Sequence, residues 1–115
     1  MAQPLAAAFA TPLARLDAVT VQLAALLATD PDRALANASV YLDAFGRVVA
    51  AWIWLKQALA AERGLASHPA DADFYRGKLQ AARYYVTWEL PATLSQFDLL
   101  AAVDSVPLDM RDGWF

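Results

Sequence analysis

Apolar residues recur at intervals of three and four through three long segments of this chain, the periodicity of helices with one buried face. In the first segment Leu13, Leu16, Thr20, Leu23 and Leu27 share a stripe widened by Val19 and Leu26, while Arg15, Ala18, Gln22 and Ala25 face away. Thr11 before Pro12 reads as an N-cap and a first-turn proline, whose missing amide would be unpaired at a helix start in any case. The spacing therefore predicts a helix over 12–28, with residues 1–10 a flexible or upstream-linked lead.

Asp30-Pro31 repeats that signal, and Gly64 supplies a stop, because glycine takes the left-handed conformation at a helix end without a Cβ clash. The second helix is predicted over 31–63. Its seam runs Leu35, Ala38, Leu42, Phe45, Val49, Trp52 and Leu59, interrupted only by Lys56, with Tyr41, Val48 and Leu55 alongside. This seam is expected to face the core. Asp43, Arg47 and Gln57 form the opposite, polar stripe, where Asp43 and Arg47 are spaced for an i,i+4 ion pair. Trp54 falls on the same stripe and either covers a neighbouring segment or anchors an interface; with Arg47 it marks a candidate interaction surface. Gly46, in mid-helix, is read either as a close helix crossing or as a tolerated glycine with local bending.

The segment 66–72 reads as a loop, with His68 before Pro69 disfavouring helix and Asp71 placed to cap the next one. The third helix carries Arg76, Gln80, Arg83 and Thr87 on a polar stripe, with Phe74, Ala81, Tyr85 and Trp88 opposite and Tyr75, Leu79, Ala82 and Val86 flanking the inward side. Tyr85 and Trp88 are assigned to the core, and Tyr84, beside the polar stripe, to a partner surface. Pro91 predicts a kink or restart near Leu90 and a short continuation over 92–103. Residues 104–115 read as an irregular tail that docks through Val106, Leu108, Trp114 and Phe115. The prediction is an all-α, up-down antiparallel bundle of three long helices plus a short or kinked fourth, one domain over 1–115.

Composition narrows the functions. Alanine supplies 27 of 115 residues, which favours helix and inflates the 59% hydrophobic content. With net charge −3 and nine dispersed Lys/Arg, no basic run exists for nucleic acid. The absence of cysteine removes disulfides and thiolate chemistry and is compatible with a cytoplasmic protein. The longest apolar run, 48–55, is far shorter than the roughly 20 residues of a membrane span, so no transmembrane segment is expected.

Candidate chemistry is sparse. His68, the only histidine, stands in a polar loop with no partner to fix it as a base. Asp71 and Asp73 are explained by capping. The two glutamates, Glu62 and Glu89, have no histidine beside them, so a di-metal bundle is excluded, and no Gly-rich phosphate loop or nucleophile elbow occurs. Neither catalytic, cofactor-binding nor metal residues are expected.

The runs LANASVYLDAFGRVV (35–49), WLKQALA (54–60) and FYRGKLQAARYY (74–85), with a closing Leu90-Pro91, carry more specific information in their order. Over roughly 30–94 the chain resembles the extra helical domain at the C-terminus of one branch of the FAD-dependent acyl-CoA dehydrogenases. The resemblance implies a non-catalytic accessory or oligomerisation domain of a flavin oxidoreductase that oxidises the α,β bond of an acyl-CoA. FAD would belong to the parent enzyme, and the expected partners are the dehydrogenase core, a second copy of this chain, or both. The alternative is a free-standing helical homodimerisation or partner-binding module.

Overall fold

In the computed structural model, which describes all 115 residues, the chain is helical from end to end with no strand. The elements are α1 (Ala2–Leu27), α2 (Pro31–Leu35), α3 (Ala38–Ser67), α4 (Ala72–Tyr84), a π-helical turn Tyr85–Glu89, α5 (Ala92–Ala101) and α6 (Val106–Asp109). Three legs lie side by side: α1, α3, and α4 continued by α5. The start of α1 meets the end of α3 through the Ala2 amide, which donates to Glu62 Oε1 at 2.7 Å, and Thr20 meets Tyr41 across 2.7 Å at the other end. Neighbouring legs on α3 are thus antiparallel, as short connections require.

Local signals explain most of the boundaries. The Asp30 side chain accepts from the Arg33 amide at 3.2 Å and caps α2 as its position before Pro31 predicts. Pro91 has no amide to continue the ladder, so the last turn before it widens: the Leu90 amide donates to the Tyr85 carbonyl, five residues back, at 2.9 Å. The chain restarts as α5. There Phe97, Leu100 and Thr93 are buried, with the Thr93 hydroxyl satisfied by the Leu90 carbonyl at 2.7 Å.

Several boundaries differ from the expectation. Helix α1 begins ten residues before Pro12 and runs through it. An interior proline costs a helix about 3 kcal/mol, and here burial of Ala2, Leu5, Phe9 and Pro12 itself holds the segment helical. The helix predicted over 31–63 is broken at Ala36–Asn37, where the Asn37 side chain donates to the Asp104 carbonyl at 2.8 Å instead of capping α3. Gly64 does not end α3, which continues to Ser67; it is buried where the Tyr75 ring lies against the backbone, leaving no room for a Cβ. Gly46, by contrast, has nothing within 4 Å. The close approach is at Gly64, not at Gly46. The tail forms α6 and a turn but does not dock: Val106, Leu108, Trp114 and Phe115 are exposed.

The bundle is thin and long, 66 × 31 × 16 Å, with a radius of gyration of 18.6 Å where a compact chain of this length would give roughly 13 Å. Only 20 of 115 residues are buried, and small residues dominate them on α3, whose inward face is Ala44, Val48, Ala51, Ala58, Ala61 and Gly64. Small side chains let α1 and α4 approach the α3 backbone closely.

Candidate interaction surface

The seam expected to fill the core points outward. Leu35, Leu42, Phe45, Trp52 and Leu59 are all exposed, Leu42 at 71% and Trp52 at 49%. Trp54, placed by its spacing on the polar side, is partly buried and packs against the core. Val48 is buried and Tyr41 and Leu55 pack on the core, as their place beside the seam predicts, and Asp43 stays exposed, so α3 is turned from the expected facing toward its alanine row rather than inverted. The reason is that α3 is apolar nearly all round, so hydrophobicity does not choose its inward side; packing distance does, and it selects the alanine stripe. Trp52, not Trp54, is the outward aromatic. In α4 and the π turn Leu79, Ala82 and Val86 are buried and Tyr85 packs against the core, as expected, but Trp88 is 72% exposed rather than internal and Phe74 on the same expected face is exposed with it.

Beside the seam, α1 contributes a second wall. Phe9, Leu13 and Leu16 face Phe45, Val49 and Trp52 across a groove of about 340 Å³ with no polar residue in its lining. Lys56 Nζ stands 4.8 Å from the Trp52 ring centroid, so the one charge in the seam lies over an aromatic face.

The remaining predicted surface residues are engaged on other sides. Arg47 Nε donates to Asp43 Oδ2 at 3.0 Å, the i,i+4 pair that the spacing predicts, and Arg47 Nη1 reaches Glu89 Oε2 at 3.0 Å. Gln96 Nε2 donates to the same Asp43 oxygen at 2.6 Å. This network staples α3 to the π turn and to α5. The Gln96 and Arg47 hydrogen bonds hold the Asp43 carboxyl below its usual range, and Asp43 keeps Arg47 more firmly protonated. Burial pushes the Tyr85 phenol up. With two carboxylates already on Arg47, the open cleft beside it has no free cation to offer an anion. Tyr84 is exposed, its hydroxyl 3.4 Å from Glu89 Oε1, in a shallow cleft with Gln80, Arg83, Thr87 and Trp88. Arg47 and Tyr84 thus meet at the two oxygens of the Glu89 carboxylate, Trp54 packs apart on the core, and none of the three belongs to the seam.

One contact escapes the sequence reading. Ser67 Oγ lies 2.8 Å from His68 Nδ1. The same hydroxyl donates to the Arg63 carbonyl at 2.8 Å, which uses its one proton and makes His68 the donor to Ser67. That polarity is the opposite of a base activating a nucleophile. No group of three His, Cys, Asp or Glu side chains converges as metal ligands would.

Residues 1–111 match the family model described as acetyl-CoA dehydrogenase C-terminal like. No curated protein and no solved structure gives a significant match. The matched range takes in all three legs and the whole outward seam of α3.

Proposed function

The chain belongs to the acetyl-CoA dehydrogenase C-terminal-like family, and from that premise we propose that it is an accessory assembly domain of an acyl-CoA dehydrogenase-like flavin oxidoreductase, without catalytic chemistry of its own. The parent reaction is oxidation of the α,β bond of an acyl-CoA thioester with FAD as hydride acceptor. The observation that carries the reading is the exposed apolar seam of α3 with the groove that α1 adds to it. Exposed, contiguous apolar faces mark interaction sites, which supports reading this one as a docking surface.

The residues present do not suit FAD. One common cradle for a flavin pyrophosphate is a glycine-rich turn that opens a helix. The four glycines here lie in mid-helix at Gly46, under Tyr75 at Gly64, within α4 at Gly77 and in the tail at Gly113. By length and mean hydropathy α1 and α3 both meet the requirement for a membrane span. The five charged residues of α3, Asp43, Arg47, Lys56, Glu62 and Arg63, favour packing against protein instead.

Titrating the chain with FAD while following flavin fluorescence tests the part of the proposal that denies this chain flavin chemistry of its own. Unchanged fluorescence is expected, and stoichiometric quenching would overturn it.

A further inference from the structure

We propose that the occupant of the seam is a second copy of this chain, docked antiparallel along α3 about a two-fold axis between Ala50 and Ala51. The inference rests on the assembly reading above and names its partner and register.

Spacing carries the first part of the argument. Leu42, Phe45, Val49, Trp52, Lys56 and Leu59 follow one another at intervals of three, four, three, four and three, the repeat that lets two helices interlock side chains. The sequence of intervals reads the same in both directions. A two-fold axis at the centre therefore sets Leu42 against the partner's Leu59, Phe45 against the partner's Lys56, and Val49 against the partner's Trp52. One patch meets itself without a gap, as a two-fold interface requires.

Charge selects the direction. Parallel pairing would place the two Lys56 ammonium groups face to face on the seam. Antiparallel pairing sets each over an aromatic ring, its own Trp52 at 4.8 Å and the partner's Phe45 beyond it. It also separates the two lysines by eleven residues, roughly 16 Å along the helix, about twice the screening length at physiological salt.

Area supports the stoichiometry. The chain exposes 7359 Å², against roughly 6,200 Å² for a compact monomer of its mass. The excess of roughly 1,200 Å² is more than the ~800 Å² that each partner contributes to a standard interface. The groove wall formed by Phe9, Leu13 and Leu16 lies beside the axis and widens the contact to a four-helix layer.

Sedimentation of the full chain from micromolar to near-millimolar concentration should show a monomer–dimer equilibrium. Leu42→Glu, at a position so exposed that the monomer has no need of it, should weaken the dimer by at least roughly 30-fold with helicity unchanged, and Trp52→Ala should act in the same sense. Register is tested by cysteine, since the chain has none. A mixture of Leu42→Cys and Leu59→Cys chains should be joined efficiently by a short bis-maleimide. Either variant alone should not be, because an antiparallel dimer holds equivalent residues roughly 25 Å apart.

A chain that stays monomeric across the range would overturn the proposal, as would a dimer that survives Leu42→Glu or cross-links like with like. Monomers that float with phosphatidylcholine vesicles would give the seam to a bilayer and equally reject a second copy. A dimer that cross-links like with like rejects the register and leaves the assembly reading standing, whereas stoichiometric flavin binding rejects the non-catalytic reading whatever the oligomeric state.

Discussion

The two faces of α3 differ in side-chain size far more than in polarity. Inward lie Ala44, Val48, Ala51, Ala58, Ala61 and Gly64; outward lie Leu42, Phe45, Trp52 and Leu59, with Val49 partly buried in the groove between them. Both are apolar. The difference teaches that in an alanine-rich bundle the small stripe marks the closest intramolecular packing, because helices that touch backbone to backbone have no volume for large side chains. The large residues are left to reach across a longer gap to another surface.

The comparison breaks most sharply at adjacent residues. Ala58 is fully buried and Leu59 is exposed. Ala58→Leu inserts three carbons at a fully buried core position and should cost about 3 kcal/mol in urea unfolding, while Leu59→Ala should change the dilute monomer by less than about 0.5 kcal/mol. Equal losses would show that the two faces are not functionally distinct. The two tryptophans give the next largest contrast. Trp54→Ala removes a ring packed on the core and should cost about 2 kcal/mol, discounted from a fully buried aromatic, whereas Trp52→Ala should cost the dilute monomer under about 1 kcal/mol. Thermal unfolding of both at low concentration checks the order.

These contrasts also mark how far the sequence could be read. Helix class, three antiparallel legs, the restart after Pro91 and the Asp43–Arg47 pair all follow from signals within a few residues of one another. The features that escape prediction depend on distant partners. Helix α1 continues through Pro12 because Leu5 and Phe9 find the core; α3 starts at Ala38 because Asn37 is claimed by a carbonyl 67 residues away. Facing escapes because a helix that is apolar all round contains two seams of the same spacing. The signal that distinguishes them is present in the chain as the alternate row Ala44, Val48, Ala51, Leu55 and Ala58, and it is one of volume rather than of hydropathy.

Glycine offers a finer test of the same idea. Gly64→Ala drives a methyl into the Tyr75 ring and should destabilise by about 1 to 2 kcal/mol unless the ring swings away. Gly46→Ala meets nothing, lies in mid-helix, and should stabilise the monomer by up to about 1 kcal/mol through helix propensity. Opposite signs at two glycines of one helix, read by chemical unfolding, would sharpen the distinction between its faces; a loss at Gly46 would blur it.

The smallest effect concerns what fixes the rotation of α3. Asp43 accepts from Gln96 on α5 at 2.6 Å and from Arg47 at 3.0 Å, and Arg47 in turn holds Glu89. Because these bonds favour the charged carboxylate, the folded pKa of Asp43 lies below the 3.8 of an ordinary aspartate, with the Gln96 bond the largest cause. A depressed folded value means that the folded chain binds this proton less readily than the unfolded one. The staple is then at full strength above about pH 4 and is lost as pH falls through the folded value. Glu62, which accepts from the Ala2 amide at 2.7 Å, works in the same direction at the far end of α3. Side-chain NMR should place the Asp43 midpoint below 3.8, and Gln96→Leu should move it up more than loss of the Glu89 contact does. Since Asp43 is exposed, the stability involved is small. Its value lies in position: a staple on the polar side of α3 keeps the alanine row turned inward and the seam turned out. An Asp43 midpoint indifferent to Gln96 would leave close packing alone to set that rotation.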